Sequence, residues 1–161
     1  MTTSLLRTTL AAAGLLFLAG CDYDVPITAG PTRPVDSRLL GTWVRYDQGE
    51  KKDELMNVRK LDDFNYAVAI DGDIYRVFHS DHANLPFVSA QDLNSDSRKY
   101  VYYTWRLSED AAQLILRRVK QEVIPDGAKD SATIQHLLTE HVSDPKLLDQ
   151  DLVFTRKATK R

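Results

Sequence analysis

Through most of this chain, apolar and polar residues alternate in short runs broken by turn residues. Phe64, Tyr66, Val68 and Ile70 share one strand face, with Asn65, Ala67 and Ala69 opposite. Val101, Tyr103, Trp105 and Leu107 form a second apolar face, opposite Tyr100, Tyr102, Thr104 and Arg106. Further strands are predicted at Leu39–Tyr46, Leu55–Leu61, Ile74–His79, Pro86–Ala90 and Gln113–Lys120, with a last one in Asp151–Lys157. Asp71-Gly72 is a tight-hairpin signal, Asp62-Asp63 marks another short turn, and Ser108–Ala111 links two later strands. In Ile74–His79 the pattern is mixed, because Ile74 and Phe78 compete with Tyr75 and Val77. Such a strand is expected to be covered on both sides.

One segment has helical spacing instead. Ile134, Leu137, Leu138 and Val142 recur on one helical stripe, with Asp130 or Ser131 placed to cap its start. Asp144-Pro145 reads as a second helix start, with proline at the first helical position. The predicted fold is therefore mainly β: an antiparallel barrel or curved sheet of about seven or eight strands, with a C-terminal helix before the last strand.

The first 36 residues break this pattern. The amine of Met1 and Arg7 supply positive charge, and Leu10–Ala19 is an uncharged apolar run. That run is too short to span a bilayer, which takes about 20 apolar residues. Leu18-Ala19-Gly20-Cys21 follows it and resembles the lipobox of bacterial lipoproteins. The resemblance implies a diacylglycerol thioether on Cys21 and cleavage by signal peptidase II between Gly20 and Cys21. In enteric members an aspartate after the cysteine favours retention in the inner membrane, so Asp22 leans that way and leaves the outer membrane open. Each buried methylene contributes about 0.8 kcal/mol, so two or three acyl chains anchor firmly. Residues 1–20 are thus expected to be removed. Residues 21–36, with Pro26, Pro31, Pro34 and Gly30, read as a lipidated, proline-rich tether, and residues 37–161 as a single β-rich domain. Val25 and Ile27 leave open the alternative of a first strand pinned along the domain.

Composition narrows the picture further. Cys21 is the only cysteine, so the domain folds by core burial without a disulfide. The whole chain carries a formal charge of −2, and losing Arg7 would leave 20 cations against 23 acids. With the signs mixed along the chain, there is no basic footprint for nucleic acid.

Leu40-Gly41-Thr42-Trp43 resembles the Gly-x-Trp opening of lipocalins and lipocalin-like lipoproteins. In that family the tryptophan plugs the closed end of a barrel under an arginine from a late strand. The resemblance therefore implies a barrel-end pair of Trp43 and Arg156. A guanidinium stacks well on an indole face. The lipocalins' Thr-Asp-Tyr motif is absent here, and the predicted helix precedes the last strand where theirs follows the barrel. The whole chain is also similar to small proteobacterial lipoproteins with such a tether and opening, a family that carries no activity over.

Other candidate chemistry is sparse. His79-Ser80-Asp81-His82 groups metal-ligand types, but on a continuing strand His79 and Asp81 share a face that His82 does not. His136 and His141 point about 140° apart on a helix. Asp92–Ser97 matches half of a calcium loop, yet Ser97 stands where glycine belongs, and an Asx-rich turn is the favoured account. No metal ligand set and no catalytic residue is predicted, and covalent lipid on Cys21 is the only expected non-protein group. Tyr100 and Tyr102, opposite the predicted core face, are the candidate binding surface.

The expected function is non-enzymatic: a lipid-anchored module of the bacterial cell envelope that binds an envelope protein partner or serves envelope upkeep. The alternatives are a lipocalin-like carrier of a small apolar ligand and an envelope enzyme of unrecognised type.

Overall fold

The computed structural model describes residues 23–46, 53–125 and 128–158. Gly20 and Cys21, with the rest of the lipobox-like Leu18–Cys21 segment, lie outside the described residues. Eight antiparallel strands form a closed barrel in chain order: β1 (Gly41–Arg45), β2 (Glu54–Lys60), β3 (Asn65–Ile70), β4 (Asp73–His79), β5 (Phe87–Asp92), β6 (Tyr100–Leu107), β7 (Gln113–Arg118) and β8 (Leu152–Arg156). β8 closes on β1 with Trp43 opposite Arg156 and Val44 opposite Thr155. Closure satisfies the edge hydrogen bonds that an open sheet of this size would leave exposed.

Alternation assigns the two sides of the wall. Met56, Val58, Tyr66, Val68, Val77, Val88, Trp105, Leu114 and Phe154 pack in one cluster with Trp43, and this is the barrel interior. Tyr75 and Val77 point inward on β4, which leaves Ile74 exposed and sends Phe78 into a second cluster outside the wall. Phe64, expected on the core face with Tyr66, lies before β3 begins and is exposed, because the Asp62 carboxylate turns the chain there by accepting from the Phe64 and Asn65 amides. Asp71 and Gly72 both have positive φ (49° and 102°), the backbone that a two-residue hairpin between β3 and β4 requires.

The one α-helix among the described residues, α1 (Ser131–His141), sits between β7 and β8. Asp130 caps it by accepting from the Thr133 amide at 2.8 Å, and Ile134 and Leu138 are its fully buried residues. The second helix start expected at Asp144-Pro145 is only a turn, closed by Leu147 N–H on Asp144 C=O at 3.0 Å. It delivers Leu147 to the core, so the chain returns to β8 without another helix.

The described part of the expected tether packs on the domain, as the alternative reading of Val25 and Ile27 allowed. Residues 23–36 are a strap fixed along the outer wall of β4–β6, over to α1. Tyr23 exchanges two backbone hydrogen bonds with Tyr100, and its ring stacks on Tyr102 at 4.4 Å and 7°. Ile27 is 0% exposed. Its amide donates to Ser89 Oγ at 3.0 Å, and its carbonyl accepts from Gln135 Nε2 at 2.9 Å. Ser131 Oγ donates to the Pro26 carbonyl at 2.7 Å, and Thr32 N–H donates to His79 C=O at 2.9 Å. The strap then enters a 3-10 helix (Ser37–Leu39) that leads into β1.

Candidate binding site in the barrel lumen

The two ends of the barrel differ. At one end the lumen is closed by Trp43, which is fully buried and donates from Nε1 to the Leu39 carbonyl at 2.9 Å. The Arg156 guanidinium lies over the Trp43 ring, 4.2 Å from its centroid. Arg156 also donates to the carbonyls of Leu40 (2.8 Å), Ala111 (3.1 Å) and Arg38, so one fork ties β8 to the 3-10 helix and to the turn before β7. The fork explains the glycine at position 41, where a Cβ would stand 2.8 Å from Arg156 Nη1 at a φ of +143°.

A polar cluster completes this floor. His79 Nε2 lies 2.8 Å from Tyr66 Oη, and Trp105 Nε1 donates to His79 Nδ1 at 3.3 Å. An indole nitrogen can only donate, so Nδ1 is the acceptor and Nε2 carries the proton. Tyr66 Oη also accepts from the Asp36 amide at 2.6 Å. Burial, reinforced by the nearby Arg33 charge, pushes the His79 imidazole down from 6.5 to about 4, against the opposing pull of Asp81 and Asp36.

That shift sets a pH window. Between about 6.5 and 4 the unfolded chain takes up a proton that the folded chain refuses, so stability is complete above 6.5 and lost as pH falls towards 4. The full difference is worth roughly 3 kcal/mol. Urea midpoints measured from pH 7 to pH 4 are expected to fall through this window, and H79Q is expected to flatten that part of the profile. An unchanged profile in H79Q would place the acid sensitivity elsewhere.

Above the floor the lumen is hollow. A cavity of about 250 Å³ is lined by Met56, Val68, Val77, Val88, Ala90 and Trp105, and by further apolar side chains up to Ile70 and Leu152. Its open end carries polar groups: Arg45 and Glu54, paired at 2.6 Å across β1 and β2, with Asp71 and Asp73 from the β3–β4 hairpin. The volume matches about eight waters at their liquid density, just below the lower bound of about 300 Å³ for small-molecule sites.

The structure brings Trp43 and Arg156 together but scatters the other sequence candidates. Tyr100 and Tyr102 do not form an open surface, being 7% and 1% exposed. The strap covers them, and burial raises the Tyr102 phenol far above its ordinary pKa while its hydroxyl donates to the Val25 carbonyl. In the His79–His82 run, His79 points into the floor and Ser80 bonds Ser89, whereas Asp81 pairs with Arg33 and His82 Nε2 meets Thr139 on α1. Asp92 spends its carboxylate on Asn94 and Ser95 within its own turn. His136 faces Glu140 and His141 faces Asp144, both on the surface.

Sequence reasoning offered a lipocalin-like carrier as an alternative but assigned no residue to its lumen. Its lining was visible as alternating apolar residues, but alternation does not distinguish a filled interior from a hollow one. The small side chain of Ala90, facing inward among larger neighbours, was the one local signal. No protein-family model, curated protein or solved structure matches this chain.

Proposed function

We propose that this chain is a lipid-anchored envelope module whose barrel binds one small apolar ligand, or the end of one acyl chain, in its lumen. The observation that carries the reading is the 250 Å³ apolar cavity, open at one end and floored at the other. A purely structural barrel would fill that space with side chains, since interiors otherwise pack to crystal-like density. The polar floor favours binding over catalysis, because Tyr66, His79 and Trp105 bond to one another beneath the apolar lining. The Leu18–Cys21 lipobox supports the anchor.

The test uses the mature protein and the apolar fluorophore N-phenyl-1-naphthylamine. Wild type is expected to bind it with enhanced, blue-shifted emission. A90F places an aromatic ring in the cavity and is expected to weaken binding about tenfold or more, equivalent to 1.4 kcal/mol or more. Its urea midpoint should hold or rise, because cavity filling is commonly stabilising. Equal binding by wild type and A90F would move the ligand out of the lumen and overturn the reading.

A further inference from the structure

The strap places the start of the described chain at a definite end of the barrel. Tyr23 bridges Tyr100, the first residue of β6, at the end where Arg45, Glu54 and Asp73 surround the opening. Cys21 is two residues earlier, at most about 7 Å of chain. From Tyr100 to Leu107, β6 climbs about 23 Å at ~3.3 Å per residue, or about 18 Å once barrel tilt is allowed for. Two residues therefore cannot carry an anchor on Cys21 to the closed end.

The same end presents apolar side chains to solvent on the far side of the opening. Tyr46 just after β1 is 64% exposed, and Leu55 on β2 and Ile74 on β4 are also exposed on the outer wall. Ala69 on β3 pairs with Ile74 on β4 and with Asn57 on β2, two residues along from Leu55, so Leu55 and Ile74 form a discontinuous apolar strip beside the β3–β4 hairpin. An aromatic ring and aliphatic side chains at such a level suit the boundary between headgroups and acyl chains. The polar groups lining the opening set one arginine against three carboxylates, which suits a zwitterionic surface better than an anionic one. Leu61 and Phe64 are exposed at the opposite end, beside Asp62 and Asp63.

We propose that the open end of the barrel rests on the membrane that holds the anchor, with Tyr46, Leu55 and Ile74 in the interface, so that the lumen loads its ligand directly from the bilayer. The proposal rests on the reading of Cys21 as lipidated and of the lumen as the ligand site. An apolar ligand then passes from acyl chains to apolar lining without crossing water, and the anchor and the apolar strip hold the end down on two sides.

The experiment uses the mature lipidated protein in phosphatidylcholine–phosphatidylethanolamine vesicles containing a lipid with a nitroxide near its headgroup. L55C, I74C and L61C each supply one free thiol for a fluorophore, because a lipidated Cys21 does not react. Labels at positions 55 and 74 are expected to lie about 5–10 Å inside the boundary and to be quenched several-fold more than the label at 61. Replacing half of the lipid with phosphatidylglycerol is expected to reduce that quenching. Intact mass of the same samples reports whether Cys21 is acylated. An acylated protein quenched equally at both ends, or more strongly at 61, overturns the orientation and leaves the anchor standing. An unmodified Cys21 overturns the anchor and the orientation together, and leaves the fluorophore test of the lumen untouched.

Discussion

Replacing Trp43 by alanine is expected to destabilise the domain by about 3–5 kcal/mol, a large fraction of the 5–15 kcal/mol that holds such a domain together. Trp43 is fully buried, so the loss includes both its transfer from water and the hole it leaves. The hole cannot collapse easily. The Leu39 carbonyl loses its indole donor, and the Arg156 guanidinium loses the ring it covers while still held by the Leu40 and Ala111 carbonyls. Urea unfolding of W43A, R156A and the double variant tests this directly. The double variant is expected to cost less than the sum of the singles by about 0.5–2 kcal/mol, the range of a cation–π contact out of water. Strict additivity would mean that the two residues act independently. W43F, which keeps an aromatic ring but no N–H, is expected to fall between wild type and W43A.

The second large effect is expected at a residue that reads as part of a linker. I27D should cost about 4 kcal/mol or more. Burying an isoleucine contributes about 1.5–3 kcal/mol, and an unpaired carboxylate at the same place adds several more or forces local opening. Ile27 lies among Phe87, Tyr102, Ile134 and Leu138, whose packing depends on the strap staying in place. A free tether would tolerate the same change within about 0.5 kcal/mol, as ordinary exposed positions do. The urea midpoint of I27D therefore separates a strap from a tether. Detachment of the strap should also expose Tyr102 and lower its phenol towards the ordinary range, which ultraviolet titration would follow.

The two variants probe opposite sides of one wall. β6 shows why two are needed: Trp105 on its inner face belongs to the barrel interior, while Tyr100 and Tyr102 on its outer face belong to the core under the strap. Alternation correctly set Val101, Tyr103, Trp105 and Leu107 apart from the other face. It also made Tyr100 and Tyr102 look available for a partner, because half-buried strands normally turn one face to water. Their cover comes from elsewhere in the chain. The hydrogen bonds that fix Ile27 reach across 62 and 108 residues, and no local pattern records such partners. Three prolines in the strap remove backbone donors and leave Val25 and Ile27 as its only strand hint. His79 was hidden for a related reason. On the sequence it sits in a polar run with Asp81 and His82, yet its ring turns inward to Tyr66 and Trp105, which lie on strands 13 and 26 residues away.

The sequence by itself determined the class of fold, because a period of two residues broken by turn residues leaves few arrangements other than an antiparallel sheet, and one helical stripe marked the exception before β8. It also determined the local devices: the Asp71-Gly72 hairpin, the Asp130 cap and the apolar faces of β3 and β6. Only the tertiary structure decided that the sheet closes, that the strap seals β4–β6, that a hollow remains above Trp43, and that the described chain begins at the open end. Local patterns register the side to which a residue points. Closure, cover and hollowness depend on which distant segment meets that side and how much space it fills.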